Sequence, residues 1–251
     1  MIEHLVIFLV CTFSGILTGL LGIGGGMIIV PAFLIIMPFF GVEFSLHQII
    51  AISSTCVFAN CSATAFYRRK EKFLDKKLLT KMCLAIMLGT VGGAYLSSFA
   101  PDKALVAIYC GVSLISLYLI KGEIYFDLNK PFLKILLYLI FMFIGAISSA
   151  IGIGGAVLFA TALKCFMGKN VKELLPSMTI LLLAHAGFAF FSKFALGEVT
   201  LMIIPIAIVS SLIGTKIGVK ISQKLSANTI TNMMCGFLIF ALLRVFMEFF
   251  K

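Results

Sequence analysis

The chain has 251 residues, of which 61% are hydrophobic and only 12% charged. Soluble domains carry about 45–50% apolar and about 25% charged residues, so a single soluble core is excluded, and with it a free-standing enzyme. The formal net charge of +10 is no nucleic-acid footprint in such a chain, because membrane proteins gather Lys and Arg in their cytoplasmic loops.

A membrane helix needs about 20 apolar residues. The length therefore holds roughly eight to ten segments with short loops and no soluble enzyme or sensor domain beside them. The first apolar run, 5–21, is preceded by Glu3 and by no Lys or Arg, so the basic region of a cleaved leader is not expected. This run ends in Gly22-Ile23-Gly24-Gly25-Gly26, and a second, shorter run follows at 27–40. The third, 46–66, carries Ser53, Ser54, Thr55, Asn60, Ser62 and Thr64. A basic stretch at 67–77 (Arg68, Arg69, Lys70, Lys72, Lys76, Lys77) precedes the fourth run, 78–100, with Gly89, Thr90 and Gly93; the fifth is 104–120. The sixth, 132–151, again ends in glycine, Gly152-Ile153-Gly154-Gly155, and a short seventh follows at 156–167. The eighth, 175–196, holds Ser177, Thr179 and His185. The ninth, 199–221, holds Gly214, Thr215 and Gly218, and the tenth is 229–250. All are read as helices, because backbone polar groups in lipid must be satisfied within the segment. The short alternating segments of a membrane barrel are missing.

The second five runs resemble the first. Gly15–Gly26 recurs as Gly145–Ala156, Ser53-Ser54-Thr55 as Ser177-Met178-Thr179, and Gly89-Thr90 with Gly93 as Gly214-Thr215 with Gly218. Matches in one order predict two pseudo-symmetric repeats, 1–126 and 127–251. The expected fold is an all-α polytopic membrane protein with eight long transmembrane helices and two shorter segments after the Gly-rich breaks. Five segments per half invert the second half relative to the first. With 67–77 inside, this arrangement puts roughly sixteen basic residues inside and four outside (Lys103, Lys193, Arg244, Lys251), and both termini outside. Four crossings per half would strand Lys216, Lys220 and Lys224 outside. Whether 27–40 and 156–167 span or re-enter stays open, since both place their ends alike.

Glycine this dense does not continue a stable helix, each costing about 1 kcal/mol relative to Ala. The helices are expected to break and restart near Met27 and Ala156, with unpaired N–H groups at the new N-termini. Those groups and the helix dipole suit anion oxygens. Gly22, Gly24, Gly25, Gly26, Gly152, Gly154 and Gly155 are thus candidate substrate-binding residues. The other reading is close packing or tight turns, which is the reading preferred for Gly15/Gly19, Gly89/Gly93 and Gly214/Gly218.

Ser53, Ser54, Thr55, Asn60 and, in the second half, Thr179 and Ser177 offer neutral donors to an oxyanion, or tie helix to helix. His185 lies mid-segment, where it relays a proton or bonds a neighbouring helix as a neutral ring. Lys216 snorkels or faces an inward vestibule. The 67–77 stretch is read as a topology determinant. The seven cysteines lie in apolar runs with no CxxC pair and are read as small buried hydrophobes. Clustered metal ligands, a GxSxG nucleophile and a Walker motif are all missing, so no metal, cofactor, hydrolase or direct use of ATP is expected.

GxxxGLLGIGGGxxxVP at Gly15–Pro31, its degenerate repeat at Gly145–Leu158, the Ala51–Thr55 stretch and the glycines at 89–93 and 214–218 resemble the TauE/SafE family, also called the sulfite exporter or sulfonate uptake permease family. The resemblance covers essentially the whole chain. It implies movement of sulfite, sulfoacetate or other sulfonates across the inner (plasma) membrane. The chain departs from strict symmetry at Ala156, opposite Gly26, and at Pro31, which has no counterpart, so any site is asymmetric. The expected function is secondary transport of small sulfur-containing anions by alternating access, with the anion and the lipid bilayer as partners and a homo-oligomer left open. An anion channel, or transport of another small solute, is the alternative.

Overall fold

A computed structural model describes residues 2–26, 29, 32–33, 46–97, 102–122, 125–126, 131–151, 155–195 and 201–249. Among them there are nine helices and no strand. They are α1 (Ile2–Leu21), α2 (Leu46–Arg68), α3 (Lys76–Ser97), α4 (Asp102–Lys121), α5 (Pro131–Ile151), α6 (Ala156–Met167), α7 (Val171–Ala195), α8 (Ile203–Lys224) and α9 (Ala227–Phe249). Several helices outrun the apolar run that announced them. α7 starts at Val171, ahead of Lys172 and Glu173, and α2 continues to Arg68. Apolarity marks the part suited to lipid, whereas the hydrogen-bond ladder runs on into polar sequence. Among the described residues, stretches of α1, α5, α7 and α8 are long and apolar enough to cross a membrane. α6 is not: its 12 residues rise about 18 Å at about 1.5 Å each, short of a core about 30 Å thick. Most of the segment 27–40 lies outside the described residues.

The chain packs as two compact units, and each draws on both sequence halves. The first comprises Met1–Glu71 and Ala186–Lys224, the second Lys72–His185 and Leu225–Lys251. In the first unit α1 lies along α8, and α2 packs on both. Val6, Ile7, Val10, Ile29, Phe33, Ile49, Ile52 and Ala207 form its apolar core. In the second unit α3 lies along α5, and α4 packs against α6, α9 and α5.

Both long pairs are held by the same device. A Cβ on Gly214 would run into the Thr12 carbonyl and one on Gly218 into the Ile16 carbonyl. In the second unit a Cβ on Gly89 would run into the Met142 carbonyl and one on Gly93 into that of Ala146. The carbonyl partners share one offset (12 to 142, 16 to 146), and the glycines share another (89 to 214, 93 to 218). Backbones touch where no side chain intervenes, which replaces the hydrophobic drive that lipid does not supply. The packing role expected of these pairs holds.

Cys11 and Cys56 are not free apolar fillers: they form a disulfide joining α1 to α2, with Cα atoms 6.0 Å apart. Residues 45 apart in sequence carry no CxxC-like signal, and only the pairing of the helices brings them together. Arg68, taken as one more loop charge, ends α2 and is 2% exposed. Its guanidinium donates to the Gly19 carbonyl (2.7 Å) and Ser222 Oγ (2.6 Å) and pairs with Glu71 (2.8 Å). It thereby satisfies one of the orphan carbonyls at the end of α1 and ties that end to α8.

Candidate functional site

In the first unit, the Gly22 N–H donates to the Thr18 carbonyl at 2.8 Å and closes the last turn of α1. Gly22, Gly24 and Gly25 then take φ of 67°, 73° and 74°, the left-handed region that glycine enters without steric penalty. The chain folds back, and Gly25 comes to lie on α1. A Cβ there would fall on Ser14 Oγ and 3.0 Å from Thr18 Oγ1. Gly26 opens a new helical turn, with the Ile29 N–H donating to the Gly25 carbonyl at 3.2 Å. The helix restarts at Gly26, one residue before the position expected. The position of a Cβ on Gly26 is 3.8 Å from Ser53 Oγ and 3.4 Å from Val57, so the new N-terminus faces α2. From that helix Asn60 Nδ2 donates to Ser14 Oγ at 3.0 Å, while Asn60 Oδ1, fully buried, has no partner.

The second unit repeats the arrangement. Gly155 precedes α6 without any side-chain cap, and the Phe159 N–H donates to its carbonyl at 2.9 Å. The N–H groups of Ala156, Val157 and Leu158 fall in the first turn, where no intrahelical acceptor exists, and all three residues are buried. A Cβ on Gly155 would fall on Ser148 Oγ and 3.0 Å from Ile144. Ser148 is 1% exposed, and its hydroxyl has no partner. Gly152 and Gly154 lie outside the described residues.

His185 stands beside this turn, edge-on to Phe159 with ring centroids 6.2 Å apart. Its Nδ1 is 2.8 Å from Thr90 Oγ1, which also donates to the Ile86 carbonyl. With its one proton on that carbonyl, the hydroxyl can only accept from the ring. His185 then carries its proton on Nδ1 and ties α7 to α3.

The remaining candidates are spent locally. Thr55 Oγ1 and Ser54 Oγ both donate to the Ala51 carbonyl, and Thr179 Oγ1 to that of Leu175. Ser177 Oγ accepts the Leu74 N–H at 2.9 Å and so anchors the stretch ahead of α3. Ser14, Ser148 and Thr90 were not singled out in the sequence. A usable signal was present, since Thr18 and Ser148 are hydroxyls at matching positions of the repeat, as are Thr90 and Thr215.

A cavity of about 440 Å³ in the first unit is a different kind of place. Apolar side chains line it, and its two hydroxyls, Thr55 and Ser62, are spent on their own helix. It offers an anion nothing.

The family profile described as sulfite exporter TauE/SafE matches residues 7–245, nearly the whole chain. The chain belongs to that family. It is accordingly a membrane transport protein, and both glycine breaks fall within the matched region. No curated protein and no solved structure matches it. Among the described residues no three of His, Cys, Asp or Glu cluster to hold a metal ion.

Proposed function

We propose that this TauE/SafE member is a secondary transporter of small sulfur oxyanions or organosulfonates, working by alternating access in the inner membrane. In this reading its halves, 1–126 and 127–251, are inverted repeats with eight long transmembrane helices and a shorter segment after each glycine break. The paired carbonyl contacts at constant offset support the repeat. The recognition elements are the two helix N-termini, at Gly25–Gly26 and Gly155–Ala156. The observation that carries the proposal is Ser148: a buried hydroxyl with no partner, held against an uncapped helix N-terminus. Leaving such a group unmade costs about 1–3 kcal/mol, and an oxyanion that accepts from it and from the first-turn N–H groups removes that penalty.

In the first unit a half-turn of the Asn60 amide lets the Ser14 hydroxyl donate to Oδ1. Nδ2 then stands where the unpaired acceptor stood, beside Gly15 of α1. Neutral donors at a break hold an anion without a fixed counter-charge, which favours release as well as capture. Ser53, on α2 near Gly26, adds a hydroxyl in the first unit.

The test is uptake of radiolabelled sulfite, sulfate, thiosulfate and a sulfonate into proteoliposomes, with Ser148→Ala and Gly155→Ala alongside the wild type. Expected are saturable uptake of at least one of these anions and a half-saturating concentration about tenfold higher for Ser148→Ala, the size of one charge-assisted hydrogen bond. Gly155→Ala, whose methyl displaces the Ser148 hydroxyl, should do at least as much harm. Absence of uptake under proton and sodium gradients of either sign would overturn the anion reading, and flux linear in concentration would make the protein a channel.

A further inference from the structure

The apolar cavity of the first unit has a shape and a mouth that the transport reading leaves unused. On α2 it is lined by Thr55, Phe58, Ala59, Ser62, Ala63 and Phe66, and on α8 by Ile204, Ala207, Ile208 and Leu212. Both rows repeat the i, i+3, i+4 spacing, so each is one face of its helix. Phe190 closes the side, stacked on Phe58 with centroids 5.1 Å apart. From Thr55 to Phe66 the groove runs about 16 Å at about 1.5 Å per residue, half of a hydrocarbon core about 30 Å thick. That is the reach of one leaflet.

Each row then ends in a cation. Three residues beyond Phe66 comes Arg69, exposed, its guanidinium carbon 4.2 Å from the centre of the Phe66 ring. Four residues beyond Leu212 comes Lys216, also exposed. Tyr67 OH, donating to the Leu212 carbonyl at 3.2 Å, holds the two rows together at this end. Positive charge at one end of a leaflet-deep apolar groove, on the face where basic residues gather, complements a lipid with an anionic headgroup.

We propose that this groove is a binding site for an anionic phospholipid of the cytoplasmic leaflet. One acyl chain lies between α2 and α8, and the phosphate sits at Arg69 and Lys216. Neither cation belongs to the anion half-sites, so the lipid site stands or falls apart from the transported substrate.

The test is lipid binding to the purified full-length protein by native mass spectrometry, with phosphatidylglycerol, phosphatidylcholine of the same chains, and chain-free glycerol phosphate as probes. The variants are Arg69→Gln/Lys216→Gln, which removes the charge, and Ala59→Phe, which fills the groove. Thermal unfolding and light scattering confirm fold and oligomeric state for each. Wild type should bind phosphatidylglycerol about 25-fold tighter than phosphatidylcholine, at about fivefold for each basic residue near a lipid surface. The double variant should erase that preference while still binding both lipids, and Ala59→Phe should weaken both. Equal affinity for the two lipids in wild type, or a preference untouched by the charge variant, would overturn the site. Tight binding of glycerol phosphate alone would overturn the acyl-chain part. A dimer that Ala59→Phe dissociates would assign the groove to a second copy of the chain instead.

Discussion

The two units build one backbone device and finish it with different chemistry. In each, a glycine break returns the chain onto the helix it has just left, and a hydroxyl meets it there: Ser14 under Gly25, Ser148 under Gly155. In each, a pair of helical glycines seats on two carbonyls of the long partner helix. What surrounds the device differs. The first unit has Cys11 disulfide-bonded to Cys56, where the matching position of the second holds Phe141 stacked on Phe159. The first unit's hydroxyl is bonded to Asn60; the second's stands unpaired, near the Phe159–His185 contact. Backbone packing tolerates little change because carbonyls cannot yield, whereas the side chains around a break meet no such constraint and are free to differ.

The largest effect that tests this comparison comes from the shared device. Gly218→Leu and Gly93→Leu each drive a side chain into helix backbone, and each should destabilise by more than about 4 kcal/mol, read as loss of folded protein on size exclusion. Tolerance of one but not the other would show that the two interfaces are not equivalent. Arg68→Met comes next. It strands the Gly19 carbonyl and Glu71 and should cost about 3 kcal/mol, measured as a fall in unfolding temperature. An unchanged melt would mean that the α1 terminus finds another partner.

Smaller, and sharper in what it separates, is the contrast between the two serines. Ser14→Ala breaks a formed hydrogen bond and should lower stability by about 1 kcal/mol. Ser148→Ala breaks none and removes a buried hydroxyl that has no partner, so stability without substrate should hold or rise by up to about 1–3 kcal/mol, the loss being confined to uptake. Equal thermal losses would remove Ser148 from the site. The smallest effect expected is that of Thr90→Val, which deletes one helix–helix bond to His185. Such bonds in membranes average about 0.6 kcal/mol, and a several-fold loss of uptake at unchanged stability would instead give His185 a direct part in transport.

Composition and periodicity alone determined that the chain is helical and built for a membrane, because 61% hydrophobic residues admit no soluble core. They also determined where the helices break, because three glycines within four positions (Gly22, Gly24, Gly25) cannot hold helical geometry cheaply. The doubling of those breaks was legible for the same reason: a backbone requirement can be met only by glycine, so it leaves a mark in the sequence wherever it recurs. The partners of the breaks left a fainter mark, the matching hydroxyls Thr18 and Ser148. Serine suits many positions, and nothing local separates Ser14 or Ser148, which meet a glycine loop, from Ser54 and Ser62, which bond their own helix. Arg68 read as a loop charge because it stands at the edge of an apolar run. Only the approach of α1 and α8 places a carbonyl and a hydroxyl where its guanidinium can be buried. The joining of Cys11 to Cys56, the apolar groove between α2 and α8 and the pairing of segments from opposite halves were likewise decided by tertiary structure, since each depends on which helices touch, and sequence distance does not record that.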